Sequence, residues 1–159
     1  MLKNLDHVNI VVSDLEDACS FYVGVLNLRE TFRRKLEGAW LDEVTGLAGA
    51  IADCVFFDFP EGGARIELLC FHSPEGVPLA HHDVPHGLGV RHVAFLVDDL
   101  DHFVSRLKSS GISVYCDPVC VPFPVGETGC EKRLCYFRDP EGVLLEVAEY
   151  RERGAGSES

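Results

Sequence analysis

Three things are scarce in this 159-residue chain: positive charge, long apolar runs and cysteines at metal-binding spacings. Lysines and arginines number 14 against 26 acidic residues, a formal net charge of −12, so phosphate backbones find no electrostatic footprint and nucleic acid is excluded as a partner. No apolar stretch approaches the ~20 residues that span a bilayer, and no charged leader with an apolar core precedes Leu5. The expectation is a soluble, cytoplasmic protein with no membrane partner. Seven cysteines are an odd count for a disulfide framework, and Cys54, Cys70, Cys116 and Cys135 fall in apolar, strand-like runs. There is no C-x-x-C, and the pairs Cys116/Cys120 and Cys130/Cys135 are loosely spaced, which fits reduced thiols. What remains is 47% hydrophobic, enough to bury the core of one compact domain or of two small halves.

The chain repeats itself. Leu5-Asp6-His7-Val8 and Asp14-Leu15 return 85 positions later as Val90-Arg91-His92-Val93 and Asp99-Leu100. Phe59-Pro60-Glu61-Gly62 leading into Arg65-Ile66-Glu67-Leu68 returns as Asp139-Pro140-Glu141-Gly142 leading into Leu144-Leu145-Glu146-Val147. Two copies of one supersecondary unit follow from this, and the repeated polar residues need a reason.

In the first copy, residues 5–12 alternate with Val8, Ile10 and Val12 on one face and His7, Asn9 and Val11 on the other, which predicts a strand. Ser13 with Glu16 predicts a capping box opening a helix, ended by Asn27 in the left-handed conformation. Leu28–Leu36 reads as a basic strand carrying Arg29, Arg33, Arg34 and Lys35. Residues 37–53 read as an insertion with a short helix between Gly38 and Gly46, and Cys54–Phe59 and Ala64–Phe71 as two further strands. A linker rich in His, Pro and Gly follows. In the second copy Gly89–Val97 is a strand, Asp98 caps a helix that Gly111 ends, and Ile112–Cys116 is a strand. Asp117–Cys130 is a lid-like loop, and Lys132–Phe137 and Val143–Tyr150 close the set. The predicted architecture is α+β, paired βαβββ modules curling a mixed sheet into a cup. The first module covers residues 1–72, a linker 73–88, the second module 89–150 and a disordered tail 151–159.

Parity then places the chemistry. The apolar faces of the first strands must cover the helices, so His7 and His92 point away from them. Ile66 and Leu68, or Leu145 and Val147, are the apolar partners on the last strands, so Glu67 and Glu146 face the same way as the histidines. A carboxylate inside an apolar strand is costly unless paired or coordinating. One His/Glu pair reads as an ordinary hydrogen bond; two in register point to a divalent metal, Zn, Ni, Co, Mn or Fe.

The motifs Leu5-Asp6-His7-Val8, Phe21-Tyr22 with Val25-Leu26, Ile66-Glu67-Leu68, Arg91-His92-Val93-Ala94-Phe95 and Phe137-Arg138-Asp139-Pro140-Glu141-Gly142 to Leu145-Glu146 resemble the vicinal oxygen chelate superfamily. That group includes glyoxalase I, methylmalonyl-CoA epimerase, extradiol dioxygenases and the fosfomycin and bleomycin resistance proteins. The resemblance implies one metal held by His7, Glu67, His92 and Glu146 in a homodimeric protein acting on a small molecule. Four ligands on an octahedral ion leave two adjacent positions, whereas an extradiol dioxygenase needs three and a two-His, one-carboxylate triad. The implied reaction is therefore proton abstraction next to a carbonyl through a metal-stabilised enediolate, with Glu67 or Glu146 as base. A glyoxalase-like or epimerase-like activity would bring glutathione or CoA as part of the substrate. The alternatives are the dioxygenase and a metal-free binding protein. Arg65 and Asn9, on the faces that carry Glu67 and His7, are candidate substrate contacts, as are Trp40 and Phe123 on the two candidate lids.

Overall fold

The structure, a computed structural model, describes residues 1–80, 84–125 and 130–152. Parts of the expected linker, the lid-like loop and nearly all of the expected tail lie outside the described residues. The chain divides into two compact units, Met1–Ala80 and His81–Ser159.

The first unit runs β1 (His7–Val11), α1 (Leu15–Gly24), β2 (Arg29–Glu37), α2 (Ala39–Thr45), β3 (Ile51–Asp58) and β4 (Arg65–Ser73). Its four-stranded sheet has the order β1-β4-β3-β2, with β1 parallel to β4 and the other pairs antiparallel. The helix α1 buries Leu15, Ala18, Cys19, Phe21 and Tyr22 against Ile10, Val12, Val55, Phe57, Ile66 and Leu68. Its cap is Asp14 rather than the expected Ser13. The backbone stays extended through Asp14, whose carboxylate accepts from the Asp17 amide at 2.9 Å, so the helix opens one residue later. Asn27 does take the left-handed conformation, φ 60, that turns the chain into β2. The strand β3 begins three residues before the expected Cys54, because the Asp42 carboxylate accepts from the Gly49 and Ala50 amides at 2.9 and 2.8 Å and closes the preceding turn early.

The second unit runs β5 (Val93–Leu96), α3 (Leu100–Ser109), β6 (Val119–Cys120), β7 (Glu131–Arg138) and β8 (Leu144–Arg151). Its sheet order, β5-β8-β7-β6, repeats that of the first unit strand for strand, including the parallel first pair. The α3 cap is Asp99, not Asp98; its carboxylate accepts from the His102 amide at 2.9 Å. Residues 112–116 do not form the expected strand. Val114 makes a single bridge to Phe137, and Pro118, which has no amide to donate, follows before pairing resumes at Val119. On the helix-facing side, Arg133 joins Asp101 of α3 at 2.8 Å and Glu149 of β8 at 3.4 Å, so the buried Glu149 carboxylate is paired. Two mixed four-stranded sheets with few helices make an α+β fold, as the alternation predicts. Among the described residues, no helix is long and apolar enough to cross a membrane.

Candidate metal centre

In the first unit β1 and β4 lie side by side with Asn9 opposite Glu67, which puts His7 diagonal to the carboxylate. The His7 Nε2 stands 3.3 Å from Glu67 Oε2. On the other side of the ring, Nδ1 meets Asp6 Oδ2 at 2.7 Å, and the same oxygen accepts from Arg65 Nη2 at 2.6 Å. The hydrogen bond from His7, then that from Arg65, holds the Asp6 carboxyl below the usual carboxylate range. An ionised Asp6 can only accept, so Nδ1 is the donor of that hydrogen bond and Nε2 is the nitrogen left facing Glu67. A ring nitrogen and a carboxylate oxygen at that distance share something positive between them. Donors about 2.1 Å from one ion, at octahedral or tetrahedral angles, stand roughly 3.0–3.4 Å apart, so the pair fits a metal as well as it fits a proton.

The rest of the Glu67 surround is neutral. Asn9 Nδ2 donates to Oε2 at 2.9 Å, and the Cys54 thiol donates to Oε1 at 3.4 Å. Burial, and then the neighbouring Glu67 charge, push the Cys54 thiol up to about 12, which keeps it protonated and a donor. The ring of Phe56 packs edge-on to His7, centroids 5.5 Å apart.

The second unit repeats the pair with different company. His92 Nε2 stands 3.4 Å from Glu146 Oε2. Lys132 Nζ donates to the other oxygen, Oε1, at 2.7 Å and lies over the Tyr150 ring at 5.7 Å. The Glu146 side chain is only 4% exposed, against 14% for Glu67. Burial works to lower the Lys132 ammonium, but its hydrogen bond and charge attraction to Glu146, together with Tyr150, outweigh this and leave it raised. Burial and the same carboxylate raise the Tyr136 phenol, whose ring lies 5.4 Å from that of His92.

Each unit thus brings one expected imidazole to one expected carboxylate. Among the described residues, no group of three or more His, Cys, Asp or Glu side chains is assembled for a metal. Arg65, expected as a substrate contact, is bonded to Asp6 and lies 4.5 Å over the Phe56 ring. Asn9 is bonded to Glu67. Trp40 on α2 and Phe123 after β6 are 53% and 63% exposed. The basic strand β2 is largely neutralised, Arg33 by Glu16 and Glu30, Arg29 by Asp58 and Lys35 by Glu37. Two residues of the centre escape sequence reasoning, Asp6 and Lys132. The signal for Lys132 was its parity with Leu134 and Tyr136, a cation on an otherwise apolar strand face.

The family described as the Glyoxalase/Bleomycin resistance protein/Dioxygenase superfamily matches residues 4–147. The uncharacterised protein YwkD of Bacillus subtilis (strain 168) is 31% identical, over 94% of this chain and 98% of that one. Glyoxylase I 4 of Arabidopsis thaliana is 25% identical, over 92% of this chain and 70% of that one. The crystal structure of a glyoxalase family protein from Bacillus cereus superposes with a TM-score of 0.81 at 34% identity, covering 94% of this chain and 95% of that one.

Proposed function

Because the chain belongs to the glyoxalase/bleomycin resistance protein/dioxygenase superfamily, whose members include glyoxalases, dioxygenases and fosfomycin resistance proteins and generally bind a divalent metal, we propose that it is a metal-dependent enzyme removing a proton next to a carbonyl. The observation that carries this reading is the duplicated pair, an imidazole Nε2 facing a carboxylate Oε2 at 3.3 Å in one unit and 3.4 Å in the other. His7, Glu67, His92 and Glu146 are the proposed ligands. When bound, the metal would supply Lewis-acid polarisation of a substrate carbonyl, worth several kcal/mol. Glu67 or Glu146 takes up the proton and returns it to the neighbouring carbon or to the opposite face. Asp6 and Arg65 hold His7 in the tautomer that presents Nε2. The substrate is a small oxygen-bearing molecule, a hemithioacetal of glutathione or an acyl-CoA ester in the two versions the reading favours, and the protein acts as a homodimer.

Lys132 favours a second reading. If Glu146 stays with Lys132, two imidazoles and one carboxylate remain, the donor set of non-haem iron oxygenases.

The deciding experiment measures the metal content of the purified protein, then C–H exchange in deuterated buffer on a panel of hemithioacetals and acyl-CoA esters before and after dialysis against a chelator. Metal-dependent exchange is expected. Iron-dependent oxygen uptake with catechols would establish the dioxygenase instead, and small-molecule binding without metal would establish a binding protein. Of the two variants Glu67→Gln and Glu146→Gln, the one that keeps metal better than turnover marks the base.

A further inference from the structure

The segment after α3 meets β7 where two cysteines come face to face. Val114 bridges Phe137, and the Tyr115 amide donates to the Tyr136 carbonyl at 2.8 Å. The next position across is Cys116 and Cys135. The register then jumps, since pairing resumes with Val119 opposite Leu134, and Cys135 is left facing the bulge 116–118. Val114 shares a face with the buried Phe137, whose ring packs against Phe103 of α3, and Cys116 and Cys135 return to that face two residues on. Asp117 reaches Lys108 in the last turn of α3 at 2.7 Å, which draws the bulge over Cys135. Burial, and then the charge of Cys116, push the Cys135 thiol up to about 11, while the Lys108 ammonium works the other way. The two sulfurs are therefore close enough for the charge of one to act on the other. Cys116 is exposed, whereas Cys135 is fully buried.

We propose that Cys116 and Cys135 form a modification site, a dithiol that a small disulfide such as oxidised glutathione converts into an intramolecular disulfide. Residues facing each other on antiparallel strands keep their Cα atoms about 4.5–5.5 Å apart, inside the roughly 4.4–6.8 Å that a disulfide spans without backbone movement. The exposed Cys116 thiolate attacks one sulfur of the oxidant, forms a mixed disulfide and releases one glutathione. Cys135 then loses its proton and attacks the Cys116 sulfur, expelling the second glutathione. Two protein thiols are oxidised, the oxidant is reduced to two thiols, and the two thiol protons pass to them. Proximity offsets what the Cys135 thiol loses in reactivity through burial. Leu134 and Tyr136 alternate to the other face of β7, where the Tyr136 ring lies beside His92. The link thus forms behind the candidate centre and consumes none of its groups, so it stands or falls independently of the proposed reaction.

The test treats the reduced full chain, under native conditions, with oxidised glutathione and reads the product by intact mass and peptide mapping. Wild type is expected to lose two hydrogens and to yield a cross-linked peptide joining Cys116 to Cys135. Cys135→Ala is expected to stop at a glutathione adduct on Cys116, and Cys116→Ser to leave Cys135 unmodified, because no oxidant reaches the buried thiol. Should Cys135→Ala fold poorly, alkylation of the oxidised wild type decides alone: Cys116 and Cys135 must both be protected and both be recovered with dithiothreitol. The linked protein is expected to melt higher than the reduced one, by roughly 10 °C. A stable adduct on Cys116 beside a free Cys135, a link from Cys116 to Cys120 instead, a link that forms only in urea, or a linked protein that melts lower overturns the proposal.

Discussion

Asp6 decides what His7 can offer. A histidine with nothing on Nδ1 exchanges tautomers and turns its ring, whereas here a carboxylate 2.7 Å away, itself gripped by Arg65, fixes both. The second unit has Arg91 at that position of the repeat, so the two imidazoles are oriented by different means. Asp6→Ala is expected to weaken zinc binding about 10–100-fold, read by competition with a chromophoric chelator. An unchanged affinity would mean that the Phe56 ring alone sets the orientation of His7. Cys54 gives a pH prediction. Its thiol is pushed to about 12, first by burial and then by Glu67, from an ordinary value of 9.0. The unfolded chain therefore loses this proton first, so the stability it protects is whole below the ordinary thiol value and drains away as the pH climbs toward about 12. Urea midpoints compared at about pH 8 and about pH 10.5 are expected to fall less in Cys54→Ala than in wild type; equal falls would assign the alkaline loss to other groups. The residue scale is also where the sequence was least legible. His7, Glu67, His92 and Glu146 announce themselves by repetition and parity, but Asp6 and Lys132 acquire their roles from register across neighbouring strands, and register is not written in either strand alone.

At the level of elements, alternation and repetition carried most of the fold, because each strand has one face that must be dry. Val55, Phe57, Ile66 and Leu68 are buried on the side that Glu67 avoids, and no shift of one residue would keep them so. Helix starts were legible only to within a residue. Ser13-Asp14 and Asp98-Asp99 each present two good caps in succession, and the choice falls to the one whose backbone is extended where the chain leaves the sheet, Asp14 at φ −126 and Asp99 at φ −137. The segment 112–116 misled because its apolar residues alternate as a strand's would, while Pro118 withholds the amide that continued pairing needs. Both caps accept one amide from the third residue on, at 2.9 Å, so Asp14→Ala and Asp99→Ala are each expected to cost about 1 kcal/mol. In a unit of this size that lowers the melting temperature by roughly 4–8 °C. Calorimetry checks it, and a loss well below this range would place the helix N-terminal amides with other acceptors.

For the molecule as a whole, two units with the same strand order each hold a His/Glu pair, and among the described residues neither pair alone makes a metal cluster. Metal bound by the proposed ligands would stabilise the folded chain by about 2.7 kcal/mol at a free metal concentration 100 times the dissociation constant. Hydrogen exchange reads this unit by unit: peptides from β3 and β4 report the first, peptides from β7 and β8 the second, and zinc is expected to slow exchange in both. The decisive variant is His92→Gln, which removes a proposed donor of the second unit. It is expected to cost β7 and β8 most of their zinc-dependent protection; should they keep it, His92 is no ligand, and proton abstraction by a four-ligand centre would lose its physical basis.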